Sequence, residues 1–258
     1  MSTFQLSVSA EMVFTELPFV ERVRRIHDLG FAAEIWSWAD KDLDALAATG
    51  ATFTSMTGYL RGDLIDPETA DEVVETAELS IKAAETLGVT RLNLHTAELV
   101  DGLPARPRLR ATGTMWTTAM RTLTRLGELG ESAGVTFVVE NLNTIVDHPG
   151  VPLARAKDVL ALIEGVGHPN VKMMLDLYHA QIGEGNLIEL VRRCGDAIGE
   201  LQVADVPGRC EPGTGEVYYP AVARALQDMG FRGTVGLEGW ASGDSVAALE
   251  AFRAAFTV

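Results

Sequence analysis

Short apolar runs rich in β-branched and aromatic residues alternate along the chain with longer stretches whose apolar positions recur at helical spacing. That alternation is the sequence pattern of a parallel α/β architecture. The runs predict strands at 4–9, 33–36, 52–56, 91–95, 136–140, 171–176, 200–203 and 234–238. The stretches between them predict helices over about 18–29, 40–48, 67–87, 109–133, 153–166, 187–194 and 220–229, with a last one over 244–256. Gly30, Gly88, Gly134 and Gly230 close four of these helices just before the next strand, where a residue free to turn left-handed makes a good stop. Asp66-Pro67-Glu68 and Ser242-Gly243-Asp244-Ser245 read as helix starts, with an acid or hydroxyl to cap and proline in the first turn.

Eight strand–helix units without a composition break predict one domain over residues 1–258, a closed (β/α)8 barrel. An open doubly wound sheet would carry an early glycine-rich phosphate turn, and the first strand instead runs into Ser9-Ala-Glu-Met-Val-Phe14. The 258 residues, 47% hydrophobic and 22% charged, suit such a domain. No apolar run approaches the ~18–20 residues of a membrane span. Met1 to Val8 holds no basic residue and no long apolar stretch, so no secretory leader is expected. Cys194 and Cys210 form no disulfide framework, and a reducing cytoplasm is the expected setting. A net charge of −15 repels nucleic acid and anionic lipid. Arg106, Arg108 and Arg110, interleaved with prolines, read as a solvated loop.

Chemistry concentrates where strands end. Phe137-Val-Val-Glu140, Met173-Met-Leu-Asp176, Gly199-Glu-Leu-Gln202 and Val235-Gly-Leu-Glu238 each close an apolar run on an oxygen-bearing side chain, 36, 26 and 36 residues apart. Strand C-termini of a barrel gather on one rim, where barrel active sites lie. Buried carboxylates brought together need a basic partner or a cation. No lysine or arginine occupies the last three positions of these strands, so a divalent metal on Glu140, Asp176, Gln202 and Glu238 is the simpler answer. An all-oxygen donor set favours Mg²⁺ or Mn²⁺.

Other rim groups follow. His179, three residues past Asp176, suits donation to a substrate oxygen, against the alternative of a surface imidazole. Arg209 offers a planar fork of donors to a carboxylate or a pair of hydroxyls, against an ion pair with Glu211 or Glu216. Glu34 and His95 end the second and fourth strands and are candidate substrate contacts. Asn143 is a candidate for orienting Glu140. Trp36, Trp38, Phe14 and Trp240 are candidate pocket walls.

The words Val139-Glu140-Asn-Leu-Asn143, His148-Pro-Gly150, Asp176-Leu-Tyr-His179, Gln202-Val-Ala-Asp205, Arg209, Glu211-Pro-Gly-Thr-Gly-Glu216 and Val235-Gly-Leu-Glu238 together resemble the xylose-isomerase-like TIM barrel superfamily. Within it they are most similar to the hydroxypyruvate isomerase branch. The resemblance implies metal ligation by Glu140, Asp176, Gln202 and Glu238, acid–base roles for Glu140 and Glu238, and substrate-oxygen contacts for His179 and Arg209. It implies a small-molecule substrate, hydroxypyruvate interconverting with tartronate semialdehyde through an enediolate, and leaves a homo-oligomer open. Glutamine rather than histidine at the third ligand places the chain nearer that branch than the sugar epimerases. At the last strand the branch reads Glu-Tyr-Lys-Pro where this chain has Glu238-Gly-Trp240-Ala241. That departure keeps a free ketose, a 2-oxo-tetronate or a cyclitol in view as alternatives.

Overall fold

Side chains along a barrel strand point alternately to the helices and to the barrel axis, and the computed structural model, describing residues 4–257, realises both faces. Met1–Thr3 and Val258, and with them part of the reading of the chain's start, lie outside the described residues. The strands are β1 (Gln5–Ser9), β2 (Ala32–Glu34), β3 (Ser55–Thr57), β4 (Arg91–Leu94), β5 (Thr136–Glu140), β6 (Val171–Asp176), β7 (Ile198–Val203) and β8 (Thr234–Leu237). All eight pair in parallel in the spatial order β2-β1-β8-β7-β6-β5-β4-β3. The ends meet through Ala33, whose N–H donates to the Thr52 carbonyl at 2.8 Å and whose carbonyl accepts from Thr54 N–H at 2.9 Å. The expected barrel is therefore the fold, in one domain.

Outward-facing Val8, Ala33, Leu92, Val139, Leu175, Leu201 and Val235 are fully or almost fully buried in the main apolar cluster against the surrounding helices. Those helices are α1 (Phe19–Asp28), α2 (Leu43–Ala47), α3 (Ala70–Leu87), α4 (Gly113–Ala133), α5 (Ala156–Val166), α6 (Leu177–Gly183), α7 (Leu187–Cys194), α8 (Tyr219–Asp228) and α9 (Ser245–Ala255). No described helix is long and apolar enough to cross a membrane. Cys194 and Cys210 are both free thiols.

Gly88 and Gly134 cap α3 and α4 in the left-handed conformation, and Asp244 caps α9 by accepting from Ala247 N–H. Other boundaries move. Asp66-Pro67-Glu68 does not open α3: it forms a turn, with Ala70 N–H donating to the Asp66 carbonyl at 2.8 Å, and the helix begins at Ala70. A hairpin of Leu99–Val100 with Leu103–Pro104 interrupts the β4–α4 connection. Two-residue strands carry too little alternation to be read from sequence. Helix α6 follows β6 directly, because Asp176 itself caps it, accepting from His179 N–H at 2.7 Å.

Toward the axis the strands present mostly polar groups, Ser7, Glu34, Ser55, Arg91, Asn93, Glu140, Glu200 and Gln202, with Val138 and Met174 among them. Space for one of them comes from Gly236 on β8: a Cβ there would lie 2.4 Å from Glu34 Oε2. The register shift between β6 and β7 leaves Asp176 directly opposite Gln202.

Candidate active site

A cavity of about 590 Å³ opens at the C-terminal rim, lined by Glu34, His95, Glu140, His179, Gln202, Arg209 and Glu238 among others. The residues expected from sequence to hold a metal or touch substrate are thus brought together there, with Asp176 buried beside them.

Glu140, at the tip of β5, accepts from Asn93 Nδ2 at 2.5 Å and sits 3.1 Å from His95 Nε2, both on Oε2. Burial pushes its pKa up, but the hydrogen bond and charge of His95, with His179 and Asn93, outweigh burial and hold it down at about 2. Glu238 follows β8 and is held at both oxygens: Trp36 Nε1 donates to Oε1 at 2.7 Å and Arg209 to Oε2 at 2.6 Å. Burial nonetheless keeps the Glu238 carboxyl above its ordinary range. Asp176 is raised well above its ordinary range by burial and by the neighbouring Glu140 and Glu238. Glu34 accepts from Gln202 Nε2 at 3.4 Å; burial and the charges of Glu200 and Glu238 raise it well above normal. His179 is pushed well below the usual imidazole range by burial and by Arg209.

These contacts correct the sequence argument for a metal. Two of the three carboxylates do have partners, because Arg209 reaches Glu238 from the β7–α8 loop and His95 reaches Glu140 from just past β4. Arg209 accordingly pairs with neither Glu211, which accepts from Ser242, nor Glu216, which accepts from Gln181. What points to a cation is narrower. Among the described residues, Asp176 Oδ2 and Gln202 Oε1 are buried oxygens with no hydrogen-bond partner, each costing roughly 1–3 kcal/mol if left so. Hard oxygens with unused lone pairs in a carboxylate-rich pocket fit a hard divalent ion. Glu140, Asp176 and His179 each hold one potential donor atom within 4.8 Å of the others, a grouping that includes a histidine the sequence reading kept for substrate.

Asn143 does not orient Glu140. Its Nδ2 lies 2.8 Å from His179 Nδ1, and Asn93 takes the role foreseen for it. Asn141 instead ties the strand ends, exchanging two 2.9 Å bonds with the Asp176 backbone. Asn93 was legible as the middle member of the alternating polar set Arg91, Asn93, His95. His148, which borders the cavity and bonds the Gly102 carbonyl at 2.7 Å, was singled out only within the word His148-Pro-Gly150, and Tyr59, whose hydroxyl is 3.3 Å from His95 Nδ1, gave no signal. Of the aromatic walls, Trp36 lines the cavity, Phe14 is buried in the core, Trp38 packs against the core with its indole on Ser80, and Trp240 is half exposed outside the lining.

The model of a family described as xylose isomerase-like TIM barrel matches residues 10–256. The hydroxypyruvate isomerase of Escherichia coli is 27% identical, covering 91% of this chain and 92% of its own. The 2-oxo-tetronate isomerase of Cupriavidus necator is 29% identical with the same shares of 91% and 92%. A crystal structure described as an AP endonuclease of family 2 from Brucella melitensis superposes with a TM-score of 0.86 at 27% identity, covering 98% of this chain and 99% of that one.

Proposed function

The chain belongs to the xylose isomerase-like TIM barrel family, and on that premise we propose that it is a metal-dependent isomerase of a small hydroxy-carbonyl compound. The reaction moves a carbonyl between adjacent carbons through an enediolate, with hydroxypyruvate and tartronate semialdehyde as the first pair to test. The observation that carries this reading is the wall of one cavity. Glu140 and Glu238 stand on different strands with carboxyl environments driven apart, beside unpartnered oxygens of Asp176 and Gln202. The relatives named as isomerases of hydroxypyruvate and of 2-oxo-tetronate support it.

Asp176 and Gln202 would hold the ion with Glu140, and Glu238 would join them by exchanging one of its two donors. The ion, when bound, supplies Lewis-acid stabilisation of charge on the substrate oxygens. Glu238, whose pKa is raised toward neutrality, suits proton removal beside a carbonyl. Glu140, held ionised, serves as the second carboxylate of the pair. Arg209 steadies Glu238 and meets substrate hydroxyls or a carboxylate, His179 faces a substrate oxygen, and Trp36 closes the mouth. Glu34 and His95 touch substrate less directly, since each already bonds a wall residue.

One feature favours the uncharged members of the second reading, a free ketose or a cyclitol, over an acid such as hydroxypyruvate or a 2-oxo-tetronate. Among the described residues, Arg209 is the only lysine or arginine lining the cavity and is engaged by Glu238, while Glu98 and Asp101 add further acid. Protein saturated with Mn²⁺ or Mg²⁺ is to be assayed on hydroxypyruvate, longer 2-oxo acids and free ketoses, with bound metal quantified in parallel. About one divalent ion per chain and chelator-sensitive turnover are expected, with the substrate panel choosing between the readings. Loaded protein that isomerises none of these compounds would end the proposal.

A further inference from the structure

Asn143 decides what His179 can do. The Asn143 side-chain oxygen accepts from two backbone donors, Val146 N–H at 2.9 Å and Asp147 N–H at 3.1 Å. Its orientation is therefore fixed, because turning the amide over would set Nδ2 against those same N–H groups. With the oxygen so held, Nδ2 faces outward and has two hydrogens to place. One goes to Asp147 Oδ2 at 2.5 Å, an oxygen that also accepts from the Tyr178 hydroxyl at 3.0 Å. The other is directed at His179 Nδ1, 2.8 Å away. A donor aimed at a ring nitrogen requires a lone pair there. The hydrogen of the neutral ring is consequently on Nε2, and an imidazolium would set two N–H groups face to face. Nε2 is buried, has no hydrogen-bond partner among the described residues, and stands 3.7 Å from Glu140 Oε1 at the cavity wall.

We infer that Asn143 is a positioning residue that locks His179 in the Nε2–H tautomer, so that His179 donates a hydrogen bond to the substrate oxygen and is not a metal ligand. This deepens the isomerase reading and rests on it for the identity of the acceptor. It also divides the three-residue group of Glu140, Asp176 and His179. A ligating imidazole needs a lone pair on the nitrogen facing the ion, and the Asn143 bond leaves the lone pair on the other nitrogen. Two carboxylates and an N–H donor remain, which is an arrangement for an ion and for an oxygen that gains charge as the carbonyl moves.

The tautomer is directly measurable. In ¹⁵N-histidine-labelled protein, with His179→Gln to assign the resonance, His179 Nδ1 is expected at the shift of an unprotonated ring nitrogen and Nε2 at that of a protonated one. Saturation with Mg²⁺ should leave the Nε2 proton in place. An Nδ1–H ring, an imidazolium, or loss of the Nε2 proton on adding Mg²⁺ would each overturn the assignment. Asn143→Asp, combined with Asp147→Asn so that no second carboxylate faces it, presents only acceptors to His179 and should reverse the pattern. Nε2 then becomes a free lone pair beside Glu140 and Asp176, Mn²⁺ binds more tightly, and turnover falls about 10²–10³-fold, the cost of a lost oxyanion donor. Unchanged ring shifts in a folded protein carrying both Asn143→Asp and Asp147→Asn would refute the lock. The wild-type spectrum decides the matter should that variant not fold. None of these spectra depends on finding a substrate, so an enzyme inactive on every compound would count against the function and not against the tautomer.

Discussion

Glu140 and Glu238 bring the same side chain into opposite surroundings. Glu140 is met by Asn93 and His95 on one oxygen and is held at about 2, whereas Glu238 stays raised despite Arg209 and Trp36. A pair of carboxyls driven apart in this way is how one site keeps one acid ionised and another available for proton transfer. Glu238→Gln keeps an oxygen donor and nearly the same volume. It should therefore retain Mn²⁺, measured by elemental analysis, while turnover falls ~10²–10⁴-fold; a variant that binds Mn²⁺ and turns over normally would remove Glu238 from proton transfer. At this scale the sequence was legible where strand periodicity sets direction. Glu34, Glu140, Asp176, Gln202 and Glu238 lie within one residue of a strand end, and all reach the rim. Side chains on loops were legible only in part, because their direction depends on local turns: Arg209 and Trp36 line the cavity as expected, and Trp38 and Trp240 do not. Asn143 is turned by its own bonds to Val146 and Asp147, away from the Glu140 it was expected to orient.

Among the elements, the β7–α8 loop matters most, since it delivers Arg209. Asp205 organises it from a fully buried position, with Oδ1 accepting from Val206 and Val217 N–H and Oδ2 from Gly213 N–H, all at 2.9 Å. The backbone adds a close return, with Glu216 N–H donating to the Val206 carbonyl at 2.7 Å, and Arg209 itself takes a left-handed φ of +53°. Asp205→Ala strands three backbone donors. It should lower stability by about 3 kcal/mol or more in chemical denaturation and lower kcat/KM through misplaced Arg209. Wild-type stability in that variant would show that the loop holds without its centre. The Gly- and Pro-rich wording of the loop signalled turning, which it does, but not the buried aspartate around which it turns. The eight strands were readable because each carries apolar residues on its helix-facing side, which in β1, β4 and β7 alternate with polar or small residues on the axis side. The 99–104 hairpin and α6 were not, because the first is held by a handful of backbone bonds and the second starts from a cap that is also a site residue.

Across the whole molecule, a net charge of −15 surrounds a barrel whose axis is itself acidic, and this couples stability to pH. Below the site, Glu200 is fully buried, accepts from Ser55 Oγ at 3.2 Å, and lies 3.7 Å from Arg91 Nε. Burial outweighs Arg91 and these bonds and pushes its carboxyl from 4.5 up to about 7. The native state thus binds this proton more tightly than the unfolded chain does. Its stabilising contribution is complete below about pH 4.5 and is lost as pH rises through about 7. A shift of that size corresponds to on the order of 3 kcal/mol. Glu200→Gln cannot ionise, relieves a like charge on Glu34, and leaves Arg91 its bonds to the Gly199 carbonyl and Thr234 Oγ1. Denaturation of the chelator-treated proteins between about pH 5 and pH 8 should show wild type losing stability relative to Glu200→Gln as pH rises. Carboxylates with lowered pKa, such as Glu140, pull the other way in both proteins, so the difference curve reports Glu200 together with the Glu34 carboxyl whose titration it influences. Parallel curves across that range would mean that Arg91 keeps Glu200 ionised throughout, and that the barrel axis holds a buried ion pair instead of a proton.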